Sequence, residues 1–141
     1  MLYSIIVPVY NRPDEVKELL ESLSAQTVKP FELVIIEDGS KERCDHLLGH
    51  YRSFFAIHYY YKENSGRSDT RNYGMARANG DYLLFFDSDV ILPPFYFEKL
   101  EEAMAADYCD CFGGPDAADD SFSDMQKAVS HAMTSFWTTG G

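Results

Sequence analysis

The chain is short of basic residues, of cysteines and of long apolar runs, and each shortage excludes a class of function. Of its 141 residues 12 are Lys or Arg against 23 Asp or Glu, a formal charge of -11. Nucleic-acid partners need a basic surface to displace phosphate counterions, so this balance argues against them. The apolar runs are far too short to cross a bilayer, and the first ten residues lack the basic start of a secretory signal. The three cysteines, Cys44, Cys109 and Cys111, form no zinc pattern and are an odd number. A reduced, cytosolic chain is the simplest reading. Cys109 and Cys111, alternating in a strand-like run, are expected to pack as buried thiols. Several motifs are also missing. No GxxxxGKS/T phosphate loop, no GxGxxG after the first strand and no GxSxG elbow occurs. His46, His50, His58 and His131 have no ligand spacing. No repeat or low-complexity tract is visible.

What is present is an ordinary globular composition, 45% hydrophobic and 15% aromatic. The order of apolar runs alternates between two periods. YSIIVPV at residues 3–9 reads as a first strand. Pro13 with Asp14 and Glu15 opens a helix, whose stripe is Val16, Leu19, Leu20 and Leu23, ending near Gln26. A second strand is expected at 31–36, and Ser40 is placed to cap a helix reaching about Tyr51. A third strand spans 55–61. Ser68 or Asp69 caps a helix to about Asn79, with Gly80 as its left-handed stop. The fourth strand, 81–86, has five apolar residues in succession, which suits a strand covered on both faces. A helix at 95–106 turns Phe97, Leu100 and Met104 inward. A fifth strand at 108–112, an acidic loop at 116–120 and a last amphipathic helix from Ser121 to Phe136 complete the pattern. Strands alternating with helices predict an α/β fold with a mostly parallel, doubly wound sheet and helices on both faces.

Three polar segments fall at the carboxyl ends of predicted strands: Pro8-Val9-Tyr10-Asn11, Glu37-Asp38-Gly39-Ser40 and Asp87-Ser88-Asp89. In open α/β sheets that edge is where ligands bind. A carboxylate such as Asp38 accepts hydrogen bonds only, which fits the N3–H of a uracil. Tyr10 could stack on a base and Asp87 could accept from ribose hydroxyls. Asp89 is suited to an oxygen-loving cation, and Mn²⁺ or Mg²⁺ favours one or two carboxylates plus diphosphate oxygens. Arg71, on the preceding helix, could pair with the phosphates or with the flanking acids. Each segment alone also reads as a turn with a helix cap, and the arginines as decoration of a solvated face. The joint placement of three acid-bearing loops on one edge is what a cap does not explain.

These residues carry a resemblance to the family 2 glycosyltransferases, which have the Rossmann-like GT-A fold. The segments are SIIVPVYNR at 4–12, FELVIIEDGS at 31–40, NSGRSDTRNYGMARANGDYLLFFDSDV at 64–90 and FGGP at 112–115, in that order and spacing. The resemblance implies transfer of a sugar from a nucleotide-diphospho-sugar, a UDP-sugar first, to an acceptor hydroxyl with inversion, as in glycan or polysaccharide synthesis. It implies nucleotide contacts at Pro8, Tyr10, Asn11, Glu37, Asp38, Arg71, Asp87 and Ser88, and a Mn²⁺ or Mg²⁺ site at Asp89 and Asp87. Glu37 stands where Asp is common. The implied acceptor is a saccharide or a lipid-linked saccharide. The family's general base and acceptor loops come later than Gly141. Residues 1–141 are therefore expected to form a single donor-binding domain, cut before the general base and inactive alone. The full-length protein would be cytoplasmic or peripheral at the inner face of the membrane. Two alternatives are a sugar-nucleotide pyrophosphorylase and a non-enzymatic interaction domain. The first would want a glycine-rich, basic first loop, unlike PVYNRPDE. A phospho-acceptor receiver would need an acidic pair and a lysine where Asn11 and Gly113 stand.

Overall fold

A computed structural model describes residues 1–113, and the acidic loop and last helix expected beyond them lie outside the described residues. The chain divides into two compact units, Met1–Asp107 and Tyr108–Gly141. The first contains strands β1 (Tyr3–Val9), β2 (Phe31–Asp38), β3 (Ala56–Lys62) and β4 (Tyr82–Phe85). Its helices are α1 (Pro13–Ser24), a 3₁₀ turn (Asp45–Leu47) running into the one-turn α2 (Leu48–Tyr51), α3 (Arg67–Met75) and α4 (Tyr96–Ala106). All strand pairs are parallel, in the order β3-β2-β1-β4.

The pleat sorts the core into two faces. Ile5, Val7, Leu33 and Ile35 point to one side, where Val16, Leu19, Leu20 and Leu23 of α1 and Phe97 of α4 meet them. Ile6, Val34 and Ile36 point to the other, against α3. The two-residue period of a strand thus feeds two helical layers from one sequence. α3 can lie close because Gly74 has no side chain: a Cβ there would sit 2.6 Å from Ile6 and 2.7 Å from Ile36.

Several sequence expectations are corrected. β4 is the outer strand of the described sheet, with Phe85 44% exposed, whereas all eight residues of β2 are buried. An uninterrupted apolar run therefore marked a strand without fixing its place; strand order is set by the crossovers. The helix expected from Ser40 is reduced to the 3₁₀ turn and α2. Ser40 Oγ accepts the Asn11 N–H at 2.9 Å, and Glu37 accepts the Cys44 N–H at 2.7 Å, so the chain between them is held as a loop. α3 starts after Gly66 and stops at Met75, with Ser68 and Asp69 inside it and no side-chain cap. Positive φ is found at Asn11, Gly39 and Gly66 and does not include Gly80. Gly80 serves a close approach instead, since a Cβ there would fall 2.6 Å from the Ser4 nitrogen. Residues 108–112 are irregular, with Tyr108 58% exposed. β-propensity counts only where a neighbouring strand supplies the ladder. Cys111 is accordingly exposed and Cys109 half-buried, while Cys44 is buried.

At the amino end of the sheet, buried Glu32 ties four segments together. It accepts from Ser4 Oγ at 2.6 Å and from the Asn79 N–H at 2.6 Å, and His58 Nε2 lies 3.1 Å away. Burial raises its pKa, but the bonds from Ser4 and Asn79 outweigh this and hold it below the ordinary value of 4.5. A depressed folded-state pKa stabilises above the unfolded value, and that stability is lost as pH falls through the folded one. Urea unfolding should therefore show a midpoint that drops below about pH 4.5 in the wild type. Glu32→Gln should cost about 2 kcal/mol at pH 7 and flatten the acid limb; an unchanged limb would contradict the assignment.

Candidate nucleotide site at the carboxyl edge

All strand pairs run parallel, so the carboxyl ends of β1, β2 and β4 lie on one edge, and the β1–β4 ladder stops at Ile6 and Phe85, short of the end of β1. That edge is where open α/β sheets bind ligands. The loops after β1, β2 and β4 and the start of α3 border it. All three polar segments singled out in the sequence reach this edge.

Asp38 ends β2 and is 5% exposed. Its carboxylate accepts the N–H of Ser65 at 2.9 Å and of Gly66 at 3.0 Å, and pairs with Lys62. Asn64 Nδ2 donates to its carbonyl at 2.8 Å. Burial opposes ionisation of Asp38, yet Lys62 and these N–H donors prevail and hold its pKa below the usual value. Lys62 also touches Ser65 and lies 3.7 Å from Asp69. The loop entering α3 is thus wound around one carboxylate. A carboxylate offers about four acceptor positions; Lys62, Ser65 and Gly66 donate here, and the Thr70 side chain also favours the ionised form.

Asn11 adopts φ 52°, in the left-handed region, and its Oδ1 accepts the N–H of Lys41 at 2.7 Å and of Glu42 at 3.0 Å. Asparagine is among the residues that tolerate this backbone. Glu37 is fully buried, with Oε1 on Cys44 and the Cys44 thiol beside it, raised in pKa by burial and by that carboxylate. These two side chains brace the loops. Tyr10, by contrast, is 53% exposed, and Pro8 is half-buried.

The loop after β4 is pinned at two points. Arg71 Nη2 reaches Asp87 Oδ1 at 2.9 Å, and Ser88 Oγ donates to Glu15 Oε2 of α1 at 2.9 Å. Asp89 between them and the solvent is exposed and makes no hydrogen bond or ion pair among the described residues. A second cation stands nearby. Arg67, one helical turn before Arg71, approaches Asp87 Oδ2 at 4.0 Å. No motif in the sequence singles out Arg67, although its i,i+4 spacing from Arg71 places both on one side of a helix. Among the described residues no three His, Cys, Asp or Glu side chains converge on a metal site. Asp89 with Asp87 could offer two carboxylates at most, which suits a hard divalent ion taking its other oxygens from diphosphate and water.

A second hollow, of about 470 Å³, lies at the opposite end, bounded by Val28–Pro30 and by Glu98, Glu101 and Glu102 of α4. Three carboxylates facing one lysine make it a poor host for an anion.

The family model for Glycosyl transferase family 2 matches residues 4–138. The chain belongs to that family. Among family 2 relatives, an uncharacterized glycosyltransferase of Haemophilus influenzae is 42% identical over 103 residues, 73% of this chain and 34% of its own length. One from Rickettsia felis is 41% identical over 98 residues, 70% of this chain and 16% of its own. The chain thus spans well under half of either relative. The crystal structure of Staphylococcus aureus TarS 1–349 with UDP superposes with a TM-score of 0.72 at 25% identity, over 83% of this chain and 39% of TarS 1–349. TarS has also been solved with UDP-GlcNAc. A mannosyltransferase of Pyrobaculum calidifontis, in complex with GDP-Man and Mn²⁺, shares the fold at TM-score 0.59 and 21% identity, over 64% of this chain and 28% of its own. The fold is therefore that of the GT-A glycosyltransferases. No helix among the described residues is long and apolar enough to cross a membrane.

The Asp38–Lys62 pair gives a direct test of how the site is built. Removing one partner of a buried ion pair strands the other. Lys62→Met should lower stability by about 3 kcal/mol and speed proteolysis between β3 and α3, read by urea unfolding and limited digestion. A variant as stable and resistant as wild type would refute this role.

Proposed function

We propose that residues 1–141 form the donor-binding part of a glycosyltransferase, taking a nucleotide-diphospho-sugar at the carboxyl edge of the sheet. The observation that carries this is the juxtaposition, in a family 2 chain, of the Arg71–Asp87 pair, outward-facing Asp89 and the Asp38 loop on one crevice. The likeness to TarS, solved with UDP and UDP-GlcNAc, supports a UDP-sugar as donor.

Tyr10 and Pro8 offer the base an apolar wall. Asp38 is the acceptor for the base's imide N–H, a charged hydrogen bond of about 1.5–3 kcal/mol. Asn11 and Glu37 hold the surrounding loops and act on the nucleotide through them. Asp87, fixed by Arg71, accepts from ribose hydroxyls, and Ser88 keeps the loop in place from α1. Asp89 and Asp87 would hold Mn²⁺ or Mg²⁺, which when bound supplies positive charge beside the diphosphate. Transfer to an acceptor hydroxyl, a saccharide or a lipid-linked one, needs a general base to take the hydroxyl proton. No residue described here is assigned that role. Inversion at the anomeric carbon and a role in polysaccharide synthesis at the cytoplasmic side belong to the same reading.

Calorimetric titration of UDP, GDP and dTDP, each with Mn²⁺ and with EDTA, tests it. One diphosphate should bind, and more tightly with metal. Asp89→Ala should remove the metal dependence while leaving the fold intact. Metal-independent binding in the wild type would refute the assignment of Asp89, and absence of binding by all three, in the chain and in a longer protein containing it, would refute the donor site.

A further inference from the structure

We propose that Arg67 is a further binding residue for the donor, contacting its diphosphate. The inference rests on the donor-site reading above and extends it to a residue that reading does not use. Arg67 and Arg71 stand one turn apart on α3 and both approach Asp87, yet their situations differ. Arg71 is two-thirds buried and bonded to Asp87 Oδ1 at 2.9 Å. Arg67 is 69% exposed and its Nη1 lies 4.0 Å from Oδ2, its one ion-pair contact among the described residues.

An exposed pair at that distance contributes little to stability. Arg71 already supplies Asp87 with its counter-charge, so Arg67 is left only loosely engaged. That loosely held cation sits at the ligand-binding edge of a chain whose formal charge is -11, beside the loop in which Asp89 has no ion pair among the described residues. A guanidinium fork fits phosphate oxygens better than it fits a carboxylate edge already engaged from the other side. A diphosphate alongside Asp87 would draw Arg67 from its loose contact without breaking the Arg71–Asp87 bond. Its long, unconstrained side chain makes that movement cheap.

The test titrates UDP against uridine, and GDP against guanosine, into the whole 141-residue chain with Mn²⁺, comparing wild type, Arg67→Gln and Arg67→Lys. Arg67→Gln should weaken the diphosphate about tenfold and leave the matching nucleoside unchanged, and Arg67→Lys should recover part of the loss. Identical diphosphate affinity in wild type and Arg67→Gln would overturn the inference while the donor site stood. An equal loss for the nucleoside would overturn it too, by placing Arg67 on the base or ribose. A wild-type chain that binds neither UDP nor GDP would remove both the inference and the reading beneath it.

Discussion

The buried Asp38 carboxylate is the constraint on which the carboxyl edge depends. It closes β2, holds Lys62 at the end of β3, and gathers the N–H groups of Ser65 and Gly66 immediately before α3. α3 in turn carries Arg71 to Asp87 beyond β4. One ionised group thus relates the ends of three strands that are distant in sequence. The Asp38 charge is offset by Lys62 and the loop N–H donors, whereas Glu37 Oε2 and Arg71 Nε are buried without a hydrogen-bond partner among the described residues.

The same edge concentrates the basic residues that the chain otherwise has in small number. Arg67 and Arg71 stand beside Asp87, and Lys62 beside Asp38, so cations accompany the acids of this edge. For an anionic ligand this local balance matters more than net charge, since fields act over about 10 Å in salt. The hollow at the amino end has the reverse character, with three glutamates against Lys29. Enclosed volume and favourable chemistry lie at opposite ends of the sheet.

Much of this was legible in the sequence, for physical reasons that differ between elements. β1 and α1 were readable because Pro13, the acids after it and the leucine stripe are local signals of helix start and face. Asp38, Arg71, Asp87 and Asp89 were placed on one edge because parallel topology alone sends the ends of those strands to the same side. What could not be read was partnership. Ser40 was given to a helix cap, yet the hydroxyl serves Asn11 across 29 residues. Gly80 looked like a left-handed stop, and it is needed instead for contact with Ser4. β4 looked central because an apolar run carries no information on strand order. The bonds from Asn11 to Lys41 and Glu42 and from Glu37 to Cys44, which hold neighbouring loops, left no local signal either.

Backbone amide hydrogen exchange, measured with and without UDP and Mn²⁺, tests the central claim most directly, because it reports where along the chain a ligand acts. The account predicts slowed exchange at residues 9–12, 38–42, 64–71 and 87–90, with 28–32 and 98–102 unchanged. Protection confined to those last two segments, around the amino-end hollow, would contradict it.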